Sequence, residues 1–281
     1  LSQKELNNKP TENLVDLLFS KGVCALKSQD ISYPSILKSV INGGYPEIAK
    51  IESVRGKSLW FNSYISTYVE RDIRDIGELR DVSAFIRFFN IISPRSGGLL
   101  NKSSLASAAN LAEVTLNNYL SMLVMIFQIS LLPSYSSNVS KRFIKSPKFY
   151  LTDSGVLCHI LGVTSVDELH NSAHKGEILE TFVFGELLKH ISYSDAQPKI
   201  YHYRTNDKKE IDFILERGEQ LFAIEVKSSK AVSKSTFKHI IDFQNKSAEK
   251  VVGIVFYSGD SVLSFSDSNN DLYAVPLNAF F

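Results

Sequence analysis

The sequence predicts an α+β chain, helical toward the N-terminus and built around a mixed central sheet toward the C-terminus. Three observations predict it. Apolar residues recur at helical spacing through 11–19, 59–76, 82–92 and 114–127. Strand-like runs rich in β-branched and aromatic residues gather later, at 199–204, 210–216, 220–227 and 251–257. Helical stretches at 176–190 and 236–243 interleave with those strands, which is the order of an α/β region. The expected organisation is therefore a helical region over 1–82, a second unit over 83–152 and an α/β domain over 153–281.

Composition narrows the class. The chain has 281 residues, 44% hydrophobic and 22% charged, enough apolar material for a real core without staples. Cys24 and Cys158 are the only cysteines, in no metal spacing, which argues against a disulfide framework and fits a reducing cytoplasm. No run approaches the roughly 18 apolar residues of a membrane span. The chain opens on Leu1 rather than Met, so a preceding partner domain is expected. Net charge is +1, but residues 83–152 carry Arg87, Arg95, Lys102, Lys141, Arg142, Lys145 and Lys148 against Glu113 alone. A local basic surface of that kind is the electrostatic footprint of a phosphate-binding face.

In chain order, Asn42-Gly43-Gly44-Tyr45-Pro46 is a loop, and 59–76 reads as one long amphipathic helix. Residues 82–92 form the next helix, stopped by Ser93-Pro94 and Gly97-Gly98. Asn101 caps a short helix, a turn follows, and 114–127 forms a longer one. This helix, turn, longer helix order predicts a helix-turn-helix. Asn117 and Asn118 lie on its outer face, able to reach phosphates or base edges. The runs QISLLPSY and KRFIKSPKFYLT predict a wing carrying Lys141, Arg142, Lys145 and Lys148. DNA is the partner these features point to.

The residues that carry chemistry lie on two neighbouring strands. Strand alternation puts Glu225 and Lys227 on one face, and the turn at Glu216-Arg217-Gly218-Glu219 folds the strands into a hairpin, so Asp212 opposes the end carrying Glu225. Paired carboxylates at a buried sheet end repel, and a hard divalent cation such as Mg²⁺ removes that cost. A lysine beside them stabilises phosphate charge or helps activate a water. Glu180 is the first choice for a further acidic ligand and Glu177 the second. The same pattern also describes a salt-bridged pair at a strand end. Arg204 can meet a phosphate or pair with Glu210 or Glu225. Arg55-Gly56-Lys57-Ser58 has the tail of a P-loop, but Ile51 stands where the first glycine must be, so ATP binding within these residues is excluded.

The acid on one strand and Glu-x-Lys on the next resemble the PD-(D/E)xK nuclease superfamily. The motifs GGYPE at 43–47, YVERDI at 68–73, TLNNYLSML at 115–123, KSPKFYLTDSG at 145–155, GEILETFVFGEL at 176–187, EIDFIL at 210–215 and IEVKSS at 224–229 are similar to the C-terminal part of a prokaryotic family of AAA-type ATPases. That resemblance covers nearly the whole chain. It implies a winged helix followed by a restriction-endonuclease-like domain, with Asp212, Glu225, Lys227 and Glu180 as the site and Mg²⁺ as its metal. It also implies an N-terminal ATPase domain of the full-length protein, with ATP bound only through that absent domain. The superfamily's usual Pro-Asp is Ile211-Asp212 here, which leaves the metal ligand in place. A nuclease fold can also persist without activity, as a regulatory or dimerisation platform that makes a homo-oligomer.

Overall fold

The structure, a computed structural model, describes residues 1–7, 13–69, 71, 81–138, 142 and 145–281. It has two units: residues 40–131 with 148–185, and residues 1–39 with 132–147 and 186–281.

The first unit is mostly helical. Val82–Ile92 is capped by Asp81, whose carboxylate accepts from the Ala84 N–H at 2.8 Å. Asn101 does the same for Lys102–Ala109, accepting from the Ser104 N–H at 3.0 Å. That helix stops at Asn110 in the left-handed conformation, φ 51°, and the chain turns directly into Glu113–Met125. Leu105, Leu116, Leu120 and Leu123 are buried, as are Phe85, Phe88 and Phe89. Strands β1 (Ile129–Leu132) and β2 (Lys148–Leu151) form a small sheet.

Two of the recurring motifs are tied together in this unit. The Asp153 carboxylate caps Ser154–Ile160 through the Gly155 and Val156 N–H groups and also accepts from the Gly44 N–H at 2.7 Å. Gly43 has φ 71°, and a Cβ there would stand 2.2 Å from Asp153 Oδ1. Only glycine fits, so GGYPE and LTDSG are two halves of one packing device.

The long helix expected over 59–76 divides. Val54–Ser63 is α-helical and Tyr64–Val69 is π-helical, with the remainder largely outside the described residues. Trp60 and Tyr64 stack at 5.3 Å, and the Tyr45 hydroxyl donates to Tyr64 at 2.6 Å. Of the wing expected over the KRFIKSPKFYLT run, the described residues contain β2, and 141, 143 and 144 lie outside the described residues.

The second unit holds a six-stranded mixed sheet in the order β3-β4-β5-β6-β8-β7. Its strands are β3 (Lys199–Arg204), β4 (Glu210–Arg217), β5 (Gln220–Val226), β6 (Lys250–Tyr257), β7 (Leu263–Ser264) and β8 (Asp271–Pro276). β3, β4 and β5 are antiparallel, β5, β6 and β8 are parallel, and β7 returns antiparallel to β8. β6 is buried along almost its whole length, as its unbroken apolar run requires. Phe237, Ile240 and Phe243, in and just before the Lys238–Gln244 helix, pack on Leu221, Ala223, Val251 and Val255. On β5 the alternate residue Phe222 meets Phe19 of Leu14–Lys21 edge-on at 4.9 Å. The two-residue β7 was not legible in sequence because both its residues are exposed and no alternation can develop.

Candidate functional site

The β4–β5 hairpin sets the site. Its ladder runs from Arg217↔Gln220 to Phe213↔Ile224, so the next pair along is Asp212 and Glu225. Gly218 makes the tight turn with φ 59°. On the other side of β4 the register shifts: Tyr201 faces Ile214 and Tyr203 faces Ile211, leaving Asp212 and Phe213 together opposite His202. This β-bulge breaks strict alternation at Asp212 and re-aims its side chain, a device common beside active sites. The Asp212 carboxylate Oδ2 accepts the Val226 N–H at 2.8 Å, where a main-chain carbonyl would otherwise serve.

Glu225 is 4% exposed, at the end of a strand whose preceding residues are all buried. Its Oε2 lies 2.8 Å from Lys227 Nζ. Its Oε1 is buried and has no hydrogen-bond partner among the described residues. Burial pushes the Glu225 carboxyl above the usual range, Lys227 opposes that, Asp212 adds to it and His239 offsets part of it. Lys227 is anchored by its N–H donating to the Phe256 carbonyl at 2.8 Å, while its side chain stays 42% exposed. The strand end is therefore open to solvent on the lysine side.

These are oxygen donors of the kind a hard cation takes, and an orphaned buried carboxylate oxygen is what a missing ligand would satisfy. Among the described residues no group of three or more His, Cys, Asp or Glu side chains could hold a metal ion. Asp212 and Glu225 are the two carboxylates that could offer oxygens to a hydrated Mg²⁺, an ion that proteins often hold through one or two carboxylates and retained waters.

Glu180 belongs to the first unit, where its Oε1 accepts from the Tyr150 hydroxyl at 2.5 Å and from Lys148 Nζ at 3.0 Å. Glu177 is exposed. Arg142 and Lys148 are buried, not displayed on a wing. Arg142 makes a bidentate pair with Glu216 at 2.6 and 2.7 Å, donates to the Tyr201 hydroxyl and sits over the Tyr135 and Tyr201 rings. A guanidinium so engaged leaves little for phosphate, and this burial is not legible in the sequence because its partners lie far along the chain. Lys145 is exposed, and Lys141 lies outside the described residues. Asn118 is exposed, whereas Asn117 Oδ1 is enclosed without a partner. The same helix region displays Val114, Met125 and Phe127 to solvent. Arg204 resolves to Glu210, at 2.9 Å. Sequence reasoning missed His239, which electrostatically faces Glu225 from the helix rather than the hairpin, and Tyr135, whose hydroxyl is buried and unpartnered.

Residues 34–167 match one domain of unknown function, DUF8612, and residues 175–280 match another, DUF4143. Uncharacterised proteins of Mycobacterium bovis and Mycobacterium tuberculosis are each 26% identical over 221 residues, covering 78% of this chain and 49% of theirs. The chain thus spans about half the length of the curated relatives it matches. Among solved structures, a chain from the Thermococcus gammatolerans assembly of McrB AAA+ hexamers with bound McrC is 10% identical, with a TM-score of 0.29, over 68% of this chain and 48% of that one.

Proposed function

We propose that this chain is the nuclease-like C-terminal part of an AAA-type ATPase, with a Mg²⁺-dependent phosphodiester-hydrolysing site at Asp212, Glu225 and Lys227. The observation that carries the reading is Glu225 Oε1, a buried carboxylate oxygen left without a partner beside a second carboxylate. Asp212 and Glu225 would hold the cation, which supplies Lewis acidity toward phosphate and a more acidic bound water. Asp212 is fixed for this by the Val226 N–H. Lys227, exposed enough to leave Glu225, would place its ammonium on the phosphate as charge develops. Glu180 is not needed for this set; its oxygen is engaged by Tyr150 and Lys148.

The sheet order and its acidic strand end support a restriction-endonuclease-like reading of the second unit. The Asn101-capped helix, the Glu113–Met125 helix that follows it and β1–β2 support a winged-helix reading of the first. The match to DUF4143, a domain commonly associated with AAA-type ATPases, supports the ATPase context. DNA is the substrate proposed. The test is cleavage of plasmid, linear and branched DNA by purified protein in Mg²⁺ and in EDTA. Mg²⁺-dependent cleavage that Asp212→Ala abolishes is expected, and equal cleavage by that variant removes the enzymatic reading.

One observation favours a second reading. Lys227 Nζ lies 2.8 Å from Glu225 Oε2, occupying one oxygen that a metal would use. If that pair is permanent, the domain is an inactive platform that regulates or dimerises the ATPase. Titration calorimetry with Mg²⁺ and Mn²⁺ separates the two: heat of binding lost in Glu225→Gln supports the enzyme, and no heat supports the platform.

A further inference from the structure

The second unit contains a cleft of about 360 Å³ whose walls include Tyr135, Ser136, Lys145, Tyr203, Lys246 and Glu249. Tyr135 is 4% exposed and its ring is wedged edge-on between Tyr201 at 5.9 Å and Phe243 at 5.6 Å. Its N–H donates to the His202 carbonyl at 2.6 Å, so backbone and ring are both fixed. Yet its hydroxyl has no hydrogen-bond partner. Burial, reinforced by the neighbouring Glu249 carboxylate, raises this phenol to about 12, so it remains a donor at neutral pH. A buried donor without a partner among the described residues, on a side chain that lines the cleft, marks a place for an acceptor.

The rest of the cleft says what kind. Tyr203 is half-buried and leans on Phe243 at 4.6 Å, giving an aromatic surface at the cleft. Lys145 is exposed and makes a long contact, 3.4 Å, to the Arg204 carbonyl. Lys246 is 56% exposed, and its partner Asp242 is already shared with Lys209 at 2.9 Å. Glu249, steadied by the Ser247 hydroxyl at 2.7 Å, adds one acceptor to this set of donors. Aromatic surface, two exposed ammoniums, a buried hydroxyl donor and one acceptor match a stacked base, its phosphate and a sugar or exocyclic donor.

We infer that this cleft binds a nucleoside phosphate, its base against Tyr203, its phosphate between Lys145 and Lys246, and an acceptor oxygen on the Tyr135 hydroxyl. Tyr203 pairs with Ile211, the residue before Asp212, so a polynucleotide held here runs along the strand that carries the acidic site. That link to cleavage rests on the function proposed above, whereas binding in the cleft does not.

The test uses a ten-nucleotide single-stranded DNA containing 2-aminopurine, with dTMP as the mononucleotide arm, in EDTA at about 50 mM salt. Quenching of the aminopurine on binding is expected, with stacking lost in Tyr203→Ala. Affinity should fall at least tenfold in the Lys145→Ala/Lys246→Ala pair and several-fold in Tyr135→Phe, which keeps the ring and its packing. The measurement is made in EDTA, without divalent metal, so failure of the metal site leaves this result standing. Saturable binding of either probe with those losses supports the inference, and the better probe identifies the source as polymer or free nucleotide. No binding of either, or binding that neither Tyr135→Phe nor the lysine pair weakens, overturns it.

Discussion

Each unit of this protein contains a glutamate held by a lysine, and the two pairs are built for different work. In the first unit Lys148 is 2% exposed in its side chain and Glu180 is 18% exposed, and one glutamate oxygen takes both the ammonium and the Tyr150 hydroxyl. In the second unit the burial is reversed: Glu225 is 6% exposed in its side chain and Lys227 is 42% exposed. There the acid is enclosed, one oxygen has no hydrogen-bond partner among the described residues, and the lysine side chain reaches solvent. A pair with a buried lysine is committed to the fold, because nothing else can neutralise that charge. A pair with a buried acid and a mobile lysine is suited to exchange its lysine for another cation.

The largest effect expected from this contrast is on stability in the first unit. Lys148→Met strands the Glu180 carboxylate, and breaking a buried pair costs about 3 kcal/mol or more. A urea melt should show that loss, while the Mg²⁺ response of the protein stays as in wild type. If Lys148→Met melts like wild type but abolishes metal binding, the assignment of roles to the two pairs is reversed. Next in size, Lys227→Met should cost less than Lys148→Met, because the buried Glu225 carboxyl, which burial already pushes up, can take up a proton when its part-exposed lysine is gone. Its DNA cleavage should fall by about 10²-fold or more, the usual cost of removing one charge-stabilising donor. Unchanged cleavage would leave Lys227 as nothing more than a counter-ion.

Much of the fold is legible in the sequence because periodicity and caps are local. Asp81 and Asn101 announce their helices, and the apolar run at 251–257 announces a central strand. The hairpin carrying Asp212 and Glu225 is legible for the same reason, since Gly218 and alternation act within fifteen residues. What the sequence hides is burial decided by distant partners. Arg142 and Lys148 look like surface cations until Glu216, 74 residues away, and Glu180, 32 residues away, are folded against them. The bulge at Asp212 is hidden too, because it is a mismatch between β3 and β4 that neither strand declares alone.

The pH dependence of Glu225 gives a smaller, cleaner separation of the pairs. Folded Glu225 holds its proton more tightly than the unfolded carboxyl, because burial disfavours the charge. The folded state therefore binds more protons between the two pKa values, and stability falls as pH rises through the raised one. It is fully present only below the ordinary carboxyl value. Glu225→Gln should flatten this decline in melts run from pH 4 to 8. Mg²⁺ should do the same in wild type, adding about 2.7 kcal/mol at a hundred times its Kd. A decline that persists in Glu225→Gln assigns it to another group.

The smallest effect concerns the turn that brings the acidic residues together. Gly218 has φ 59° and open space around it, with no atom within 4 Å of an added Cβ. Gly218→Ala therefore costs only left-handed backbone strain, about 1 kcal/mol. Gly43 in the first unit offers the opposite case, with φ 71° and the Asp153 carboxylate in the way, so Gly43→Ala should cost more. The useful readout for Gly218→Ala is Mg²⁺ affinity rather than melting. The ladder from Arg217↔Gln220 to Phe213↔Ile224 is buried on both strands for most of its length, and a one-residue slip would turn every apolar side chain to the wrong face. Core packing should then hold Asp212 opposite Glu225 even with a strained turn, and Mg²⁺ affinity should be unchanged. A Gly218→Ala variant that melts normally but loses the metal would mean the turn, not the core, sets the register of the acidic residues.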